Sequence, residues 1–395
     1  MDIKQLELNA ILEITQAINK NVGEKDLYKI FLFTCMANLR IAQIALVVNE
    51  SEKYVTKINK SIDPQLEFTE GLITNIKSND EKIITLDNQK GFEKAGVVMP
   101  IRHKDHVLAM IFIGVKHLER CTEDDLNFVK TLGNIIMVAI ENKRLVRTQL
   151  EQERIKKEME IASEVQSYLV PEFLPKNDKI AMASSYIPHF SVGGDYYDYI
   201  KLSEDKFIYC IADVSGKGVP AALMMSNFQA TLRTMIRQTK DLEKIVRELN
   251  FQLHHNSHGQ HFITFFIGMV DLKNGDMEYI NAGHNPPVFL KKDQKEELLT
   301  NGTLLLGAFE ELPFLNRGAV KIASGDMLFT YTDGITEVFN MKDEEYGEER
   351  LSEFLEANRK LKLSDLHKRL IDELDKFRGE RNYTDDLTML SLRIH

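Results

Sequence analysis

Acidic residues recur in four short segments of this 395-residue chain, and their types and spacing could hold metal ions. The segments are residues 193–198, 212–218, 331–337 and 382–388, and the acids in question are Asp195, Asp198, Asp213, Asp333, Asp385 and Asp386. Three of the four segments adjoin an apolar strand candidate, which can hold a carboxylate rigidly while the neighbouring loop leaves it open to water. Mg²⁺ and Mn²⁺ prefer hard oxygen ligands and are usually held by a few carboxylates from separate segments. The pattern therefore predicts a site for divalent cations.

Each segment, taken alone, also has a purely structural explanation. Asp333 and Gly334 form a common turn pair. Asp385 could simply start a strand, and the paired glycines at 193–194 could make a tight turn. Bringing so many acids into one cleft without cations would be costly, however, because like charges repel. The two explanations stay open until the segments are considered as a set.

Two other residue types that often carry chemistry are weaker candidates. The cysteines, Cys35, Cys121 and Cys210, lie scattered in apolar stretches, which indicates buried, reduced thiols rather than disulfides. No cysteine lies in a phosphate-cradling loop, so a cysteine nucleophile is not expected. Four histidines, His254, His255, His258 and His261, cluster near one helix end. Because Asn256, Ser257 and Gly259 would break that helix, we do not expect a zinc site there.

The elements that must position the acids alternate between short strands and helices from about residue 180 onward. Apolar runs predict strands at 180–187, 199–202, 207–213, 262–271, 277–282, 288–291, 317–322, 327–332 and 388–394. Helical periodicity predicts helices at 219–238, 242–254, 350–358 and 363–377. Many strands joined by short turns, with helices set between them, indicate an α/β sandwich in which helices cover a pair of sheets.

The first part of the chain has a different pattern. Helical spacing covers 6–18 and 27–39, and strand candidates follow at 41–48, 83–86, 96–101 and 107–115, with a helix expected near 68–77. Thr122 can cap a further helix, with Asp125 three residues on in a capping-box arrangement. Helices that flank an antiparallel sheet, closed by a long exit helix, resemble a GAF-type sensor domain, and residues 121–142 are similar to the last helix of that family.

Residues 141–169 contain no Gly or Pro and are densely charged. A 3–4 spacing runs through Leu145, Thr148, Gln152, Ile155, Met159, Ala162, Gln166 and Leu169. This stripe fits a parallel coiled coil that pairs two chains. It also fits a single solvated helix that packs one stripe on its own domain, and the polar seam residues weaken the coil. Pro171 and Pro175 then end the helix.

Considered as a set, the motifs of the second part resemble the PPM-type (type 2C) serine/threonine phosphatases, in the bacterial branch of SpoIIE and RsbU. The matching motifs are residues 160–166 with 169–171, then 193–198, 212–222, 281–287, 325–334, 346–351 and 385–388. This resemblance implies an α-β-β-α sandwich for the C-terminal domain. Together with the GAF-like region it implies an α+β protein with a sensor domain at 1–140, a helical linker at 141–175 and a phosphatase domain at 176–395.

The resemblance also implies a site with two cations, Mn²⁺ or Mg²⁺. Asp213 would bridge both cations, and the backbone carbonyl of Val214 would join one of them. Asp195 would complete the shell of that cation, whereas Asp333 and Asp385 would bind the other. Two cations a few ångströms apart lower the pKa of a bridging water, which then attacks the phosphorus in line.

Other residues receive supporting roles from the same resemblance. Asp198 would be an outer-shell acid, and Asp386 would orient its neighbour. Lys217 could help to steer phosphate, although a solvated loop lysine explains it as well. His284 sits on a turn after a strand, where a structural hydrogen bond fits better than acid catalysis. Residues 191–192 are Ser-Val where eukaryotic members carry a phosphate-binding Arg, which implies weaker phosphate binding and more dependence on docking of a protein substrate.

The predicted function is dephosphorylation of a phosphorylated STAS-type anti-anti-sigma regulator, controlled by an unknown ligand or protein at the sensor and by a homodimer through the sensor and linker helix. The alternatives are a pseudophosphatase that only binds a partner and a metal hydrolase of small phosphoesters. The net charge of −10 argues against nucleic acid or an anionic membrane as the main partner. Apolar runs are far shorter than the ~20 residues that span a bilayer, and no signal-peptide pattern opens the sequence, so we expect a cytoplasmic protein.

Overall fold

The computed structural model describes residues 3–39, 41, 43–50, 53–62, 84–85, 95–103, 106–114, 121–292 and 296–395. They fall into two compact units, Met1–Arg154 and Ile155–His395. Within the described residues, no helix combines the length and the apolar character that crossing a membrane requires. The helix predicted near 68–77 lies outside the described residues.

The first unit is built on an antiparallel sheet. Its described elements are α1 (Ile3–Asn19), α2 (Glu24–Leu39), β1 (Ile44–Glu50), β2 (Lys53–Lys60), β3 (Ile84–Thr85), β4 (Ala95–His103), β5 (His106–Gly114) and α3 (Glu123–Ser167). The strand order is β2-β1-β5-β4-β3. Apolar side chains of α1, α2 and the first turns of α3 share one core with alternate residues of the strands, so the helices cover one face of this sheet.

Helix α3 is the longest element, and the boundary between the two units falls inside it. Its start is the predicted capping box: the Asp125 N–H donates to Thr122 Oγ1 (3.2 Å), and the Thr122 N–H donates to Asp125 Oδ2 (2.8 Å). Within the first unit, Arg144 of α3 pairs with Glu24 (2.5 Å) and Glu50 (2.8 Å). The helix ends at Ser167, ahead of Pro171.

The second unit contains two sheets and four α-helices. Its elements are β6 (Ile180–Ile187), β7 (Tyr196–Lys201), β8 (Lys206–Val214), α4 (Val219–Gln238), α5 (Leu242–Ser257), β9 (Ile263–Asp271), β10 (Asp276–Ala282), β11 (Val288–Leu290), β12 (Glu297–Leu298), β13 (Gly302–Thr303), β14 (Gly318–Lys321), β15 (Met327–Tyr331), a 3₁₀ turn (Asp333–Ile335), α6 (Gly347–Asn358), α7 (Leu363–Arg378) and β16 (Leu387–Ile394). One sheet has the order β13-β10-β9-β8-β7, with β14 also pairing with β10, and the other has the order β12-β11-β15-β16-β6.

Three apolar clusters show how these elements are layered. One joins α4 and α5 to the sheet of β7–β10, a second lies between the two sheets, and a third joins α6 and α7 to the sheet of β15 and β16. The order is therefore helices, sheet, sheet, helices, which is the sandwich that the alternation of strands and helices predicts. Strand β7 begins three residues earlier than predicted, which brings its first residue next to Asp195.

Candidate functional site

The proposed metal ligands come from four strand ends in both sheets of the second unit. Asp213 lies near the end of β8, and Asp195 directly precedes β7. Asp333 opens the 3₁₀ turn after β15, and Asp385 lies two residues before β16. The two sheets of the sandwich thus contribute two acids each. We call these four residues and Asp386 the acid cluster.

Mutual electrostatic effects show that the acids lie close together. Burial and then the charge of Asp213 raise the pKa of Asp195 well above its ordinary value. Burial, followed by the charges of Asp333 and Asp385, raises the pKa of Asp213 to about 7. A hydrogen bond with Asp195 has the opposite effect and lowers this pKa. The pKa of Asp333 is also raised, first by burial and then by Asp385. The structure therefore brings together the four acids that the sequence singled out.

Two threonines of the second sheet hold the Asp195 carboxylate. Thr332 Oγ1 donates to Asp195 Oδ2 over 2.8 Å, and Thr388 Oγ1 donates to the same oxygen over 2.5 Å. Both threonines are fully buried. Because these donors stabilise the charged form, they partly offset the effect of burial on the pKa of Asp195. Neither threonine was identified from the sequence, although each lies within three residues of a predicted ligand.

The backbone around Asp195 is packed too tightly to admit side chains. A Cβ on Gly194 would lie 2.8 Å from the carbonyl oxygen of Val214, so this carbonyl faces the Asp195 loop at close range. A Cβ on Gly193 would overlap with the Asp386 carboxylate and the Tyr186 hydroxyl. Glycine at both positions is required by this close approach. The Val214 carbonyl thus lies beside the loop of Asp195.

Asp386 holds the Asp195 loop through its backbone. Its Oδ1 accepts from the His189 N–H (2.7 Å), and its Oδ2 accepts from the Gly194 N–H (2.9 Å). The Tyr186 hydroxyl lies beside it, is buried, and has no hydrogen-bond partner among the described residues. The prediction was that Asp386 orients its neighbour Asp385, but its carboxylate binds the Asp195 loop. Its contact with Asp385 is made by the backbone N–H, which donates to Asp385 Oδ1.

Gln166, near the C-terminal end of α3, binds the same loop. Its Nε2 donates to the Gly193 carbonyl (2.7 Å), and its Oε1 accepts from the Gly193 N–H (3.2 Å). The side chain is buried. The sequence stripe placed Gln166 on a coiled-coil seam, but here its amide binds Gly193 within the second unit. The motif at 160–166 contained this residue without indicating its contact.

Asp198 does not join the acid cluster through any of its hydrogen bonds or ion pairs in the part of the chain that is described. It is fully buried and bonded by Arg233 of α4, with Nε 2.8 Å from Oδ2 and an NH2 nitrogen 2.9 Å from Oδ1. The Tyr196 hydroxyl donates to it over 2.5 Å. These contacts correct the prediction that Asp198 is an outer-shell acid. Its carboxylate is paired with Arg233 of α4, on the face of its sheet that is turned away from the second sheet.

Lys217 is in contact with the cluster. Its Nζ lies 2.7 Å from Asp385 Oδ2 and donates to the Thr384 carbonyl. Its charge also lowers the pKa of Asp333. Lys217 is thus an exposed loop lysine whose ammonium group is also bound to a predicted metal ligand.

His284 and His254 are both held by hydrogen bonds within the second unit. The His284 N–H donates to Asn281 Oδ1 (2.8 Å), its Nδ1 lies 2.9 Å from Thr264 Oγ1, and burial lowers its pKa to about 4, so it is a neutral, structural residue. His254 Nδ1 contacts the Gly307 carbonyl (2.9 Å). Within the described residues, no group of three or more His, Cys, Asp or Glu side chains is spaced to hold a metal ion by itself. A cation held by fewer carboxylates would complete its shell with carbonyl oxygens and water, as Mg²⁺ commonly does.

Comparison with known proteins agrees with this architecture. The family model described as Stage II sporulation protein E (SpoIIE) matches residues 203–395, a range that begins after Asp195. Protein IcfG of Synechocystis sp. is 30% identical over 292 residues, which cover 66% of this chain but only 45% of IcfG. Phosphoserine phosphatase RsbU of Bacillus subtilis is 29% identical over 245 residues, which cover 61% of this chain and 71% of RsbU.

A solved structure supports the fold. The SiaA-PP2C domain of Pseudomonas aeruginosa superposes with a TM-score of 0.54 at 19% identity, covering 62% of this chain and 99% of that domain. At that identity the likeness concerns the fold alone. From residue 203 onward, the chain is similar to the SpoIIE family, and its relative RsbU is named a phosphoserine phosphatase.

Proposed function

We propose that the Ile155–His395 unit hydrolyses phosphoserine or phosphothreonine in a protein substrate with the help of two divalent cations, Mn²⁺ or Mg²⁺. The observation that carries this proposal is the convergence of acids from both sheets, since Thr332 and Thr388 of one sheet bind Asp195 of the other. The charge of Asp213 raises the pKa of Asp195, and the charges of Asp333 and Asp385 raise that of Asp213. A site in which the fold holds several carboxylates close together favours the binding of cations, because a bound cation relieves the repulsion between them.

The charge of the site fits two divalent cations. The acid cluster has five carboxylates, and Lys217 supplies one positive charge in contact with it. With all five acids ionised, the excess of about four negative charges equals the charge of two divalent cations. In this proposal Asp213 would be shared by both cations, Asp195 and the Val214 carbonyl would hold one, and Asp333 and Asp385 would hold the other.

The protein supplies position and orientation. Two bound cations would provide a water of lowered pKa as nucleophile and positive charge facing the phosphoryl oxygens. Thr332 and Thr388 fix the Asp195 carboxylate, because both donate to the same oxygen. Asp386 and Gln166 hold the backbone of its loop.

The thiols of the chain support a route without a covalent cysteine intermediate. Burial raises the pKa of Cys210 well above its ordinary value and that of Cys35 to about 12. Burial also raises the pKa of Cys121. Since the thiolate is the nucleophilic form, these residues are inert at neutral pH.

The test of the proposed activity is Asp213→Asn, assayed with a phosphoserine peptide over a Mn²⁺ titration. Removing a residue that only orients a metal ligand costs about 10- to 100-fold, so loss of the proposed bridging ligand should reduce turnover at least about a hundredfold. Asp372→Asn, on the exposed face of α7, is the matched control and should be unaffected. Wild-type turnover by Asp213→Asn would remove the proposal.

For the substrate, we propose a phosphorylated STAS-type regulator. Two relatives are named phosphoserine phosphatases, RsbU and RsbP of Bacillus subtilis, which supports a phosphoserine protein. The decisive comparison is kcat/KM on a phosphorylated STAS protein against p-nitrophenyl phosphate. Equal values would favour a hydrolase of small phosphoesters, and tight binding without turnover would favour a pseudophosphatase.

Regulation by a GAF-like sensor at 1–140 through a linker at 141–175 completes the proposal. Support comes from α3, a single helix that runs from the first unit to Gln166 beside the Asp195 loop. We propose that the sensor signal alters this helix, and that two chains pair along the sensor and linker. Equal activity of the 155–395 fragment and the full chain, with and without partner proteins, would contradict the regulatory role. Light scattering of the full chain tests the dimer.

A further inference from the structure

Lys217 is placed where a metal ion and a phosphate would each compete for it. Asp385 Oδ1 accepts from the Asp386 N–H over 2.9 Å. The other oxygen, Oδ2, lies 2.7 Å from Lys217 Nζ. A cation that binds Asp385 through Oδ2 therefore competes with the lysine for that oxygen.

The loop that carries Lys217 is built to let the lysine change partner. It lies between two glycines with left-handed backbone, Gly216 at φ 96° and Gly218 at φ 70°. A Cβ on either glycine would meet open space, so neighbouring elements do not confine the backbone at these two positions. The first turn of α4, which follows directly, has no acidic residue to hold the ammonium group. The contacts that fix Lys217 in place are Asp385 and the Thr384 carbonyl.

Electrostatics decides what happens when a cation arrives. A divalent cation at Asp385 neutralises the carboxylate and repels the ammonium group, because both carry positive charge within a few ångströms. The anion that would then enter the same cleft is the phosphoryl group of the substrate. Lysine is a common donor to phosphate in sites where it acts as a point charge.

We propose that Lys217 has two alternative partners: Asp385 in the metal-free protein, and the phosphoryl oxygens of the substrate once metal has bound. Lys217 thus competes with the cation for Asp385 and then acts as a catalytic residue that takes the place of the arginine missing at 191–192. The second half rests on the proposed phosphatase function. The first half concerns metal binding alone.

The first arm of the test measures Mn²⁺ binding to the full-length protein by calorimetry, without substrate. Because the Lys217–Asp385 pair is partly exposed, its free energy should be no larger than that of an ordinary surface ion pair, and its loss should change Mn²⁺ affinity by no more than that amount. Lys217→Met should therefore tighten Mn²⁺ binding about two- to fivefold. The matched control is Lys179→Met, because Lys179 and Asp205 form a similarly exposed pair that lies at the end of β6 away from the acid cluster. Lys179 and Asp205 are 57% and 36% exposed, against 44% and 32% for Lys217 and Asp385. The control should leave Mn²⁺ affinity unchanged.

The second arm uses inorganic phosphate as a probe and a phosphoserine peptide as substrate at saturating Mn²⁺. Lys217→Met should weaken inhibition by phosphate and lower kcat/KM, each about tenfold, which is the loss of one hydrogen bond to a charged group. Lys217→Arg keeps the charge and should retain most of both. A lysine with a merely structural role would not tighten Mn²⁺ binding while weakening phosphate binding.

The outcomes separate the two proposals. Unchanged Mn²⁺ affinity in Lys217→Met overturns the competition for Asp385, and unchanged phosphate inhibition overturns the contact with substrate. Mn²⁺ binding without turnover by the wild-type protein overturns the phosphatase function but leaves the first arm decisive. If the wild-type protein binds no Mn²⁺, both proposals fail.

Discussion

Two buried acids lie near the start of β7: Asp195 directly precedes the strand, and Asp198 lies within it. The charges that surround these two carboxylates are opposite. Asp198 is paired with Arg233 through two hydrogen bonds and with the Tyr196 hydroxyl. Asp195 is surrounded by other acids, and its side chain accepts from the hydroxyl groups of Thr332 and Thr388. A buried charge that has its own counter-ion serves the fold, whereas one placed among like charges indicates a site for an external cation.

Among the variants that test this contrast, Thr388→Val should have the largest effect, which is a loss of Mn²⁺ affinity. The substitution keeps the shape of the side chain but removes the 2.5 Å hydrogen bond to Asp195. Loss of a group that orients a metal ligand costs about 10- to 100-fold in metal affinity. Calorimetric Mn²⁺ titration measures it, with Thr330→Val as control, because Thr330 is equally buried but donates to the Leu390 carbonyl. Equal affinities in the two variants would mean that the hydroxyl does not orient Asp195.

On the opposite side of the contrast, Asp198→Asn should lower the free energy of unfolding and leave metal binding intact. Breaking a buried ion pair costs about 3–5 kcal/mol, but the Arg233 side chain is 46% exposed and can be solvated, so we expect about 2 kcal/mol. Urea unfolding of the metal-free protein measures the loss. Weakened Mn²⁺ binding with unchanged stability would restore Asp198 as an outer-shell acid.

Gln166→Ala tests whether the Asp195 loop depends on α3. The variant loses two neutral hydrogen bonds to Gly193, each worth about 0.5–1.5 kcal/mol, so kcat/KM should fall about tenfold. Gln149→Ala, on the exposed part of the same helix and outside the 3–4 stripe, is the matched control. Equal activity of both variants would show that the loop is held by Asp386 alone.

The smallest expected effect is a pH dependence that only the acid cluster should show. Burial raises the pKa of Asp213 from 3.8 to about 7, so the native state binds a proton that the unfolded chain has already lost. The stability of the metal-free protein should therefore fall as pH rises through 7, by about 1 kcal/mol between pH 6.5 and 8. Urea unfolding at the two pH values measures it, and Asp213→Asn should lack this part of the slope. The same slope in both proteins would mean that Asp213 is not destabilised by its neighbours.

The sequence predicted the members of the acid cluster because their motifs are local. It did not predict their partners, since Thr388 and Asp195 are 193 residues apart and meet only through the pairing of β6 with β16 and the packing of two sheets. Such pairing depends on distant contacts that leave no local signal.

The error on Asp198 has a different origin. Its motif suggested one site for both acids, yet side chains alternate along a strand, and an offset of three residues places Asp198 and Asp195 on opposite faces. The layered architecture and most element bounds of the second unit followed from periodicity. The short strands β12 and β13 did not, because two residues carry no periodicity.

The hydrogen bonds between Gln166 and Gly193 make the position of the Asp195 loop sensitive to rotation of α3 about its own axis. Helix α3 has 45 residues, which corresponds to a rod of about 67 Å at a rise of about 1.5 Å per residue. Its side chains end about 5–6 Å from the axis, so a turn of about 20° moves them by about 2 Å. Such a turn would carry the 2.7 Å bond to Gly193 well beyond hydrogen-bonding range. A twist too small to change the length or direction of the helix would thus be enough to remove Gln166 from the loop of Asp195 and leave Asp386 as its remaining support.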